Sequence, residues 1–189
     1  MTVGNGGPIH IEPITAHPVR GQFDCGDRFL NEYLRRFARQ NDRRGTARTY
    51  VAVPAGGRRV LGYYAVSAAQ IAFDEVPAEL RRRLPRYPVP AARIGELAVD
   101  IGNQGSGLGG VLLWDAMKRI MAASVTLAIW AVIVDAIDER AASFYRHFGF
   151  EPLESSGRTL FLTLKDVSKW MGPGSGLTYG YLRGPFQCP

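Results

Sequence analysis

Apolar residues in this chain follow two rhythms, one of period two and one of period near 3.6. Ile9-His10-Ile11 alternates as a short first strand does. Asp27 then stands as a helix N-cap, with Phe29, Leu30, Tyr33, Leu34 and Phe37 on one face and Arg35, Arg39 and Arg43 on another. Thr49 to Val53 and Val60 to Ser67 are β-rich runs separated by Pro54-Ala55-Gly56-Gly57, which predicts a hairpin. Pro77 to Leu84 predicts a short helix, and Pro85, Pro88 and Pro90 impose an irregular connection into a strand over Ile94 to Val99. Past a glycine-dense turn, Leu108, Leu112, Leu113, Ala116, Met117 and Ile120 recur at helical spacing. Ala128 to Val134 reads as a fully apolar strand, as helices on both sheet faces would require. Glu139 to Phe148 predicts a helix stopped by Gly149, and Leu160 to Leu164 a last strand. The fold class is mixed α/β, with βαβαβ order in the second half.

A length of 189 residues with 46% apolar composition fits one ordinary domain with a buried core. The expected division is a flexible N-terminus over 1–8, a folded domain over 9–166, and a Gly/Pro/aromatic tail over 167–189, mobile or loosely docked. No apolar run reaches the roughly eighteen residues of a membrane span. The longest, Val125 to Val134, is interrupted by Thr126. Met1 to Pro8 has neither the charged nor the apolar region of a secretory signal, so the expectation is a cytoplasmic protein with no membrane partner. Cys25 and Cys188 form no C-x-x-C pair, and His10, His17 and His147 are scattered; neither a disulfide framework nor a metal is implied.

Charge adds a clue about partners. Lys plus Arg number 23 against 17 Asp plus Glu, a net +6, and twenty of the 23 are arginine, whose planar fork suits phosphate. Two clusters concentrate them: Arg35, Arg36, Arg39, Arg43, Arg44 and Arg48, opposed only by Asp42, and Arg81, Arg82, Arg83 and Arg86. Arginines four apart on a helix repel by a few tenths of a kcal/mol per pair, roughly, which an anionic partner would explain. A solvated helix face is the alternative.

The candidate chemistry centres on the turn after Val99. In Gln104-Gly105-Ser106-Gly107-Leu108-Gly109-Gly110 the glycines let successive N–H groups turn one way, and the helix that follows presents unpaired first-turn amides. Such a turn cradles an anion, a pyrophosphate above all. Gly109-Gly110-Val111 lacks the lysine and hydroxyl of a P-loop, and the loop comes too late in the chain for a Rossmann fingerprint, with Asp135 too far beyond it. An ordinary βα turn is the remaining alternative.

Gln104 to Gly109 reads Q-x-x-G-x-G and resembles the pyrophosphate loop of the GNAT acetyltransferases, with Gly95-Glu96-Leu97-Ala98-Val99-Asp100 before it. Ala141-Ala142-Ser143-Phe144-Tyr145-Arg146-His147-Phe148-Gly149-Phe150 resembles the late helix of that family, in which a tyrosine faces the cofactor sulfur. Phe23-Asp24-Cys25-Gly26, Leu30-Asn31-Glu32-Tyr33-Leu34, Leu61-Gly62-Tyr63-Tyr64 and Arg86-Tyr87-Pro88-Val89-Pro90 are similar to the acetyltransferase toxins paired with ribbon-helix-helix antitoxins. The resemblance spans about Phe23 to Leu164. It implies a GNAT fold: a central, mostly antiparallel sheet with a splayed parallel strand pair and helices on both faces. It further implies acetyl-CoA as acetyl donor, held by Leu97, Ala98, Val99, Gln104, Gly105, Ser106, Gly107, Leu108, Gly109 and Gly110. A toxin of this kind acetylates the free amine of charged tRNA and blocks translation, is neutralised by its antitoxin, and is commonly a homodimer.

The residues allow that chemistry. Tyr145 is expected to protonate the departing thiolate, since a phenol of pKa about 10 can donate to a thiolate whose acid is near 8.5. A packed aromatic is its alternative. Leu97, Ala98 and Val99 would offer backbone groups to the pantetheine arm and the thioester oxygen. Glu96 stands where the toxins usually carry arginine; it is either a general base, as in other GNAT enzymes, or a solvated or ion-paired acid at a strand end. An α-amine has pKa about 7.7–8.0 against about 10.4 for lysine, so part of it is neutral at pH 7 without a strong base. Arg35, Arg36, Arg39, Arg43, Arg81, Arg82, Arg83 and Arg86 would then hold the RNA phosphates and position that amine. Two other functions stay open: acetylation of a small-molecule or protein amine with Glu96 as base, and a non-catalytic adaptor for nucleic acid or a protein partner.

Overall fold

In the computed structural model, which describes residues 8–14, 21–154 and 156–171, the alternating runs become β1 (Ile9–Pro13), β2 (Arg48–Pro54), β3 (Gly62–Ile71), β4 (Val89–Val99), β5 (Ala131–Asp135), β6 (Glu151–Leu153) and β7 (Ser156–Thr163). They hydrogen-bond in the order β1-β2-β3-β4-β5-β7-β6. The recorded registers are antiparallel except between β4 and β5, where Ala91 to Ile94 pair with Ala131 to Val134 in parallel. That register ends five residues before β4 does. Two compact units divide the chain, one taking its described residues from Met1–Ser67 and Glu96–Lys118, the other from Ala68–Gly95 and Arg119–Ser175. The chain passes from one unit to the other inside β3, inside β4 and within the helix over residues 108–123.

In the first unit, the Asp27 carboxylate caps α1 (Arg28–Glu32) by accepting from the Leu30 amide at 2.8 Å. The helix continues through a π turn, Tyr33–Phe37, into α2 (Ala38–Arg44), which stops at Gly45 with φ of 72°. The wide turn gives Ala38 the inward position that unbroken α geometry assigns to Phe37. Leu30, Tyr33, Leu34 and Ala38 are buried with Phe23, Val51, Val53 and Tyr63, whereas Phe37 and Phe29, both expected on the core face, are 44% and 68% exposed. The sequence-predicted face of α4 (Leu108–Ala123), whose residues up to Lys118 belong to this unit and the rest to the other, is buried throughout: Leu108, Leu112, Leu113, Ala116, Met117 and Ile120. Tyr64 ties β3 to this helix by donating to the buried Asp115 carboxylate at 2.6 Å.

In the second unit, Ile71, Val76, Val89, Ala91, Ala131, Ile133, Leu153 and Phe161 form the core. β4 begins at Val89, earlier than its prolines suggest. Toward β5 Pro90 costs no ladder bond, because that pairing starts only at Ala91 and the Pro90 carbonyl accepts from the Trp130 amide at 2.8 Å. β5 starts at Ala131 rather than Ala128; Val125 and Leu127 sit in turns closing α4 and are 85% and 65% exposed. The short helix of the proline region is α3 (Ala78–Arg81), and α5 (Glu139–His147) begins at the Asp138 cap and is followed by Gly149 at φ 79°. Where the sequence suggested the start of the tail, α6 (Leu164–Met171) forms, with Thr163 and Asp166 bonded side chain to side chain and Thr163 accepting from the Asp166 amide. The remaining tail, residues 172–189, and the N-terminal residues 1–7 lie outside the described residues. Among the described residues no helix is long and apolar enough to cross a membrane.

Gly62 is where β3 is closest to its neighbours. A Cβ there would stand 2.8 Å from Leu112 Cδ1 and 3.0 Å from the Ala98 carbonyl oxygen, and the second contact is backbone, which cannot swing away. Gly62→Ala is therefore expected to cost about 1–3 kcal/mol of stability. Thermal denaturation of the purified variant checks it, and an unchanged melting temperature would contradict this packing.

Candidate functional site

The glycine loop leaves β4 at Val99 and passes through a short 3₁₀ turn, Ile101–Asn103, before α4. Gly105 and Gly107 adopt φ of 74° and 86°, the left-handed region in which a side chain is strained. Within the turn the Asn103 and Gln104 amides bond back to Asp100 and Ile101, and the first amide to bond inside α4 is that of Val111, to Gly107. Among the described residues, the amides of Gly105, Ser106, Gly107, Leu108, Gly109 and Gly110 have no hydrogen-bond acceptor. These amides stand at a helix N-terminus, where Gly105 is exposed, Ser106, Gly107 and Gly109 are half-buried and Leu108 and Gly110 are buried, and such a run suits a diphosphate. Leu97 and Val99 are half-buried and Ala98 is 5% exposed, so this strand end offers mainly its backbone.

Side chains hold the loop in place rather than reach outward from it. Gln104 Nε2 donates to the carbonyls of Cys25 at 3.0 Å and Val99 at 3.1 Å, and Ser106 Oγ donates to Asn103 at 2.5 Å. Asp100 is buried at 3% exposure; its Oδ1 accepts from Arg59 at 3.0 Å and from the Gly102 amide at 3.2 Å, and its Oδ2 accepts from the Asp24 amide at 3.3 Å. The Ile101 amide returns a bond to the Asp24 carbonyl at 2.8 Å. Arg59 lies outside both arginine clusters, and no local pattern marks it; the acid ending the apolar β4 run was the available signal for Asp100.

Glu96 belongs to the same unit. It is half-buried, and burial raises its carboxyl from the usual 4.5 to about 7, with the Tyr33 hydroxyl opposing the shift. Tyr33, delivered by the π turn, is 5% exposed and stacks on Tyr63 at 6.0 Å. Its hydroxyl has Glu96, Thr49 and Asn41 as neighbours, and burial raises its own pKa. Neither Tyr33 Oη nor Thr49 Oγ1 has a hydrogen bond of normal length and direction among the described residues. No residue-level signal pointed to Thr49 or Asn41; their proximity to Glu96 is a product of folding.

Arg35, Arg36, Arg39, Gln40, Arg43 and Arg44 line an open groove of about 340 Å³ on the same helical segment. Two of the expected RNA contacts are engaged: Arg35 donates to the Phe23 carbonyl at 3.0 Å, and Arg36 pairs with Glu32 at 2.7 Å. Arg39 and Arg43 have no carboxylate partner among the described residues.

The second unit holds Tyr145 and the other arginines. Tyr145 is 6% exposed, edge-on to Phe144 at 5.2 Å and Phe150 at 5.5 Å, and burial pushes its phenol well above its ordinary pKa. Arg81 is held by Glu154 at 3.0 Å and the Asp74 carbonyl at 3.2 Å, while Arg82, Arg83 and Arg86 are exposed without a carboxylate partner among the described residues. No group of three or more His, Cys, Asp or Glu among the described residues is placed to hold a metal ion.

Comparison with known proteins carries this geometry to a family. Residues 20–150 match the acetyltransferase (GNAT) family. A tRNA-acetylating toxin of Mycobacterium tuberculosis is 37% identical over 150 residues, spanning 79% of this chain and 89% of that protein. The solved structure of AtaT complexed with acetyl-methionyl-tRNAfMet superposes with a TM-score of 0.82 at 29% identity, over 87% of this chain and 100% of the other. A variant AtaT toxin bound to the C-terminus of the antitoxin AtaR and acetyl-CoA gives a TM-score of 0.72 at 30% identity, over 85% and 96% of the two chains. The family match covers more than half of the chain and the mycobacterial relative most of it: the chain belongs to the GNAT family of acetyltransferases.

Proposed function

We propose that this acetyltransferase is a toxin that acetylates the amino group of aminoacyl-tRNA, acts in the cytoplasm, works as a homodimer, and is neutralised by a ribbon-helix-helix antitoxin. The observation that carries the reading is the run of amides from Gly105 to Gly110 with no acceptor among the described residues, in a chain 37% identical over 150 residues to a tRNA-acetylating toxin. Acetyl-CoA would supply the acetyl group as a thioester. The amides of Gly105 to Gly110 would hold its diphosphate, with Gln104 and Ser106 keeping the loop in shape, and Leu97, Ala98 and Val99 would offer backbone groups to the pantetheine and the carbonyl oxygen. Tyr145 would give its proton to the leaving sulfur. Its raised pKa keeps the phenol fully protonated at neutral pH, the state from which a donor must start, and a thiolate leaving into equally apolar surroundings becomes a stronger base to match. Arg39 and Arg43 in one cluster and Arg82, Arg83 and Arg86 in the other have no carboxylate partner among the described residues and so would be available to RNA phosphate.

A second acceptor class, a small-molecule or protein amine, is favoured by one observation: Glu96 titrates near 7 and can serve as a base without help from RNA. Family membership sets the non-catalytic adaptor aside.

Radiolabelled acetyl-CoA is expected to label charged tRNA, and expression is expected to arrest growth, with both effects removed by Tyr145→Phe; no transfer to any charged tRNA would defeat the tRNA reading. Gly107→Val should weaken acetyl-CoA binding at least tenfold by calorimetry, because a β-branched side chain at φ 86° deforms the cradle. Replacing Arg39 and Arg43 by Ala should flatten the salt dependence of tRNA binding, each lost phosphate contact taking about 0.7–0.9 from the logarithmic slope. Glu96 also sets a pH signature in stability. Since its carboxyl ionises near 7 when folded and near 4.5 otherwise, the folded chain holds the extra proton between those values. Stability from this group is complete below about pH 4.5, falls as pH rises to about 7, and is flat above, and Glu96→Gln should abolish that fall in denaturant titrations.

A further inference from the structure

The glycine loop carries no cation of its own. Between Asp100 and Lys118 the sequence has neither lysine nor arginine, and the residue that opens the stretch is an acid. Asp100 is 3% exposed, so water and salt screen its charge poorly at the entrance to a loop suited to a diphosphate. The other acid of the junction, Asp24, is exposed, and its carboxylate accepts from the Gly26 amide at 2.9 Å and from Asn31 at 2.7 Å. A solvated charge of that kind acts weakly over distance. The second buried acid of this unit, Asp115, has its own partners, the Tyr64 hydroxyl at 2.6 Å and Lys118 at 3.7 Å.

A cation from elsewhere in the chain meets Asp100. Arg59, on the connection between β2 and β3, donates to Asp100 Oδ1 at 3.0 Å. The same oxygen accepts the Gly102 amide at 3.2 Å, so the guanidinium stands two hydrogen bonds away from the loop backbone. Among the described residues no other cation pairs with Asp100, and the Arg59 side chain, 53% exposed, has no second acceptor. We propose that Arg59 is a positioning residue for acetyl-CoA: acting through Asp100, it cancels a buried negative charge that would otherwise oppose the diphosphate held by the loop amides. At an effective dielectric constant of about 20, one charge roughly 10 Å from another changes an equilibrium by about tenfold or more. Supplied from a separate stretch of chain, the cation also leaves the glycine turn without a long side chain to cover its amides.

The inference rests on the reading of the loop as the acetyl-CoA site, and calorimetry separates the two. Arg59→Ala should raise the Kd for acetyl-CoA roughly 10- to 100-fold. Arg59→Lys, which keeps the charge, should recover most of that loss. Arg58→Ala removes the same net charge one residue away, at an exposed position with no carboxylate partner among the described residues, and should bind as wild type does. The deciding variant combines Arg59→Ala with Asp100→Asn. With the buried charge gone and an oxygen kept for Gly102, affinity should return to near the wild-type value. A double variant that binds no tighter than Arg59→Ala would make Arg59 a tether or a direct phosphate contact and overturn the proposal. Should Arg59→Ala fail to fold, Asp100→Asn alone carries the test: binding at least as tight as wild type supports the proposal, and weaker binding overturns it. Wild-type affinity in Arg59→Ala overturns the proposal and leaves the acetyl-CoA reading of the loop standing. A wild-type protein that binds no acetyl-CoA overturns both.

Discussion

A buried carboxylate fixes the part of this protein on which the rest of its chemistry depends. Asp100 sits at the junction of β4 and the glycine loop, nearly inaccessible, and its two oxygens are taken by the Arg59 guanidinium and by the amides of Gly102 and Asp24. Its own amide donates to the Leu61 carbonyl at 2.9 Å. Three separate stretches of chain, the β2–β3 connection, the Asp24 segment and the loop, are therefore pinned to one residue. A charge removed from water is tolerated only with such complete pairing, and loss of one partner leaves an uncompensated ion. That asymmetry makes the junction rigid, which is what a cradle of backbone amides requires if it is to bind an anion without first ordering itself.

The Asp24 segment extends the constraint to the arginine-bearing helix. Its backbone receives Gln104 at Cys25 and Ile101 at Asp24 on one side. On the other, Asn31 of α1 donates to the Asp24 carboxylate at 2.7 Å and accepts from the Cys25 amide at 2.9 Å, and Arg35 reaches back to the Phe23 carbonyl. The Asp24 carboxyl, held below its ordinary pKa by the Gly26 amide and the Asn31 side chain, stays ionised and able to accept these bonds. The loop and the helix thus share one anchoring strip, and the arginines left over, Arg39 and Arg43, lie beyond it.

Environment separates the ionisable groups of the proposed chemistry. Glu96 is buried enough to titrate near neutrality, and among the described residues no cation stands beside it to keep it permanently charged. Tyr145 is packed among Phe144 and Phe150, which hold its proton in place.

Several features were settled by local pattern. The stripe Leu108 to Ile120, the Asp27 and Asp138 caps, the Gly149 stop and the glycine cradle each depend on spacing within about one helical turn to a few turns, so the sequence alone determined them. The Thr163-to-Asp166 capping pair was equally local, and the start of α6 could have been found from it, but the glycine-rich composition beyond masked the signal. Other outcomes required the folded chain. The π turn that trades Phe37 for Ala38, the start of β4 at Val89, the Arg59 lock on Asp100 and the meeting of Tyr33, Thr49 and Glu96 all join residues from separate elements. Periodicity shows which face of an element turns inward, because that follows from its own geometry; which polar groups meet there, and which are left without a partner, is decided only when the elements pack.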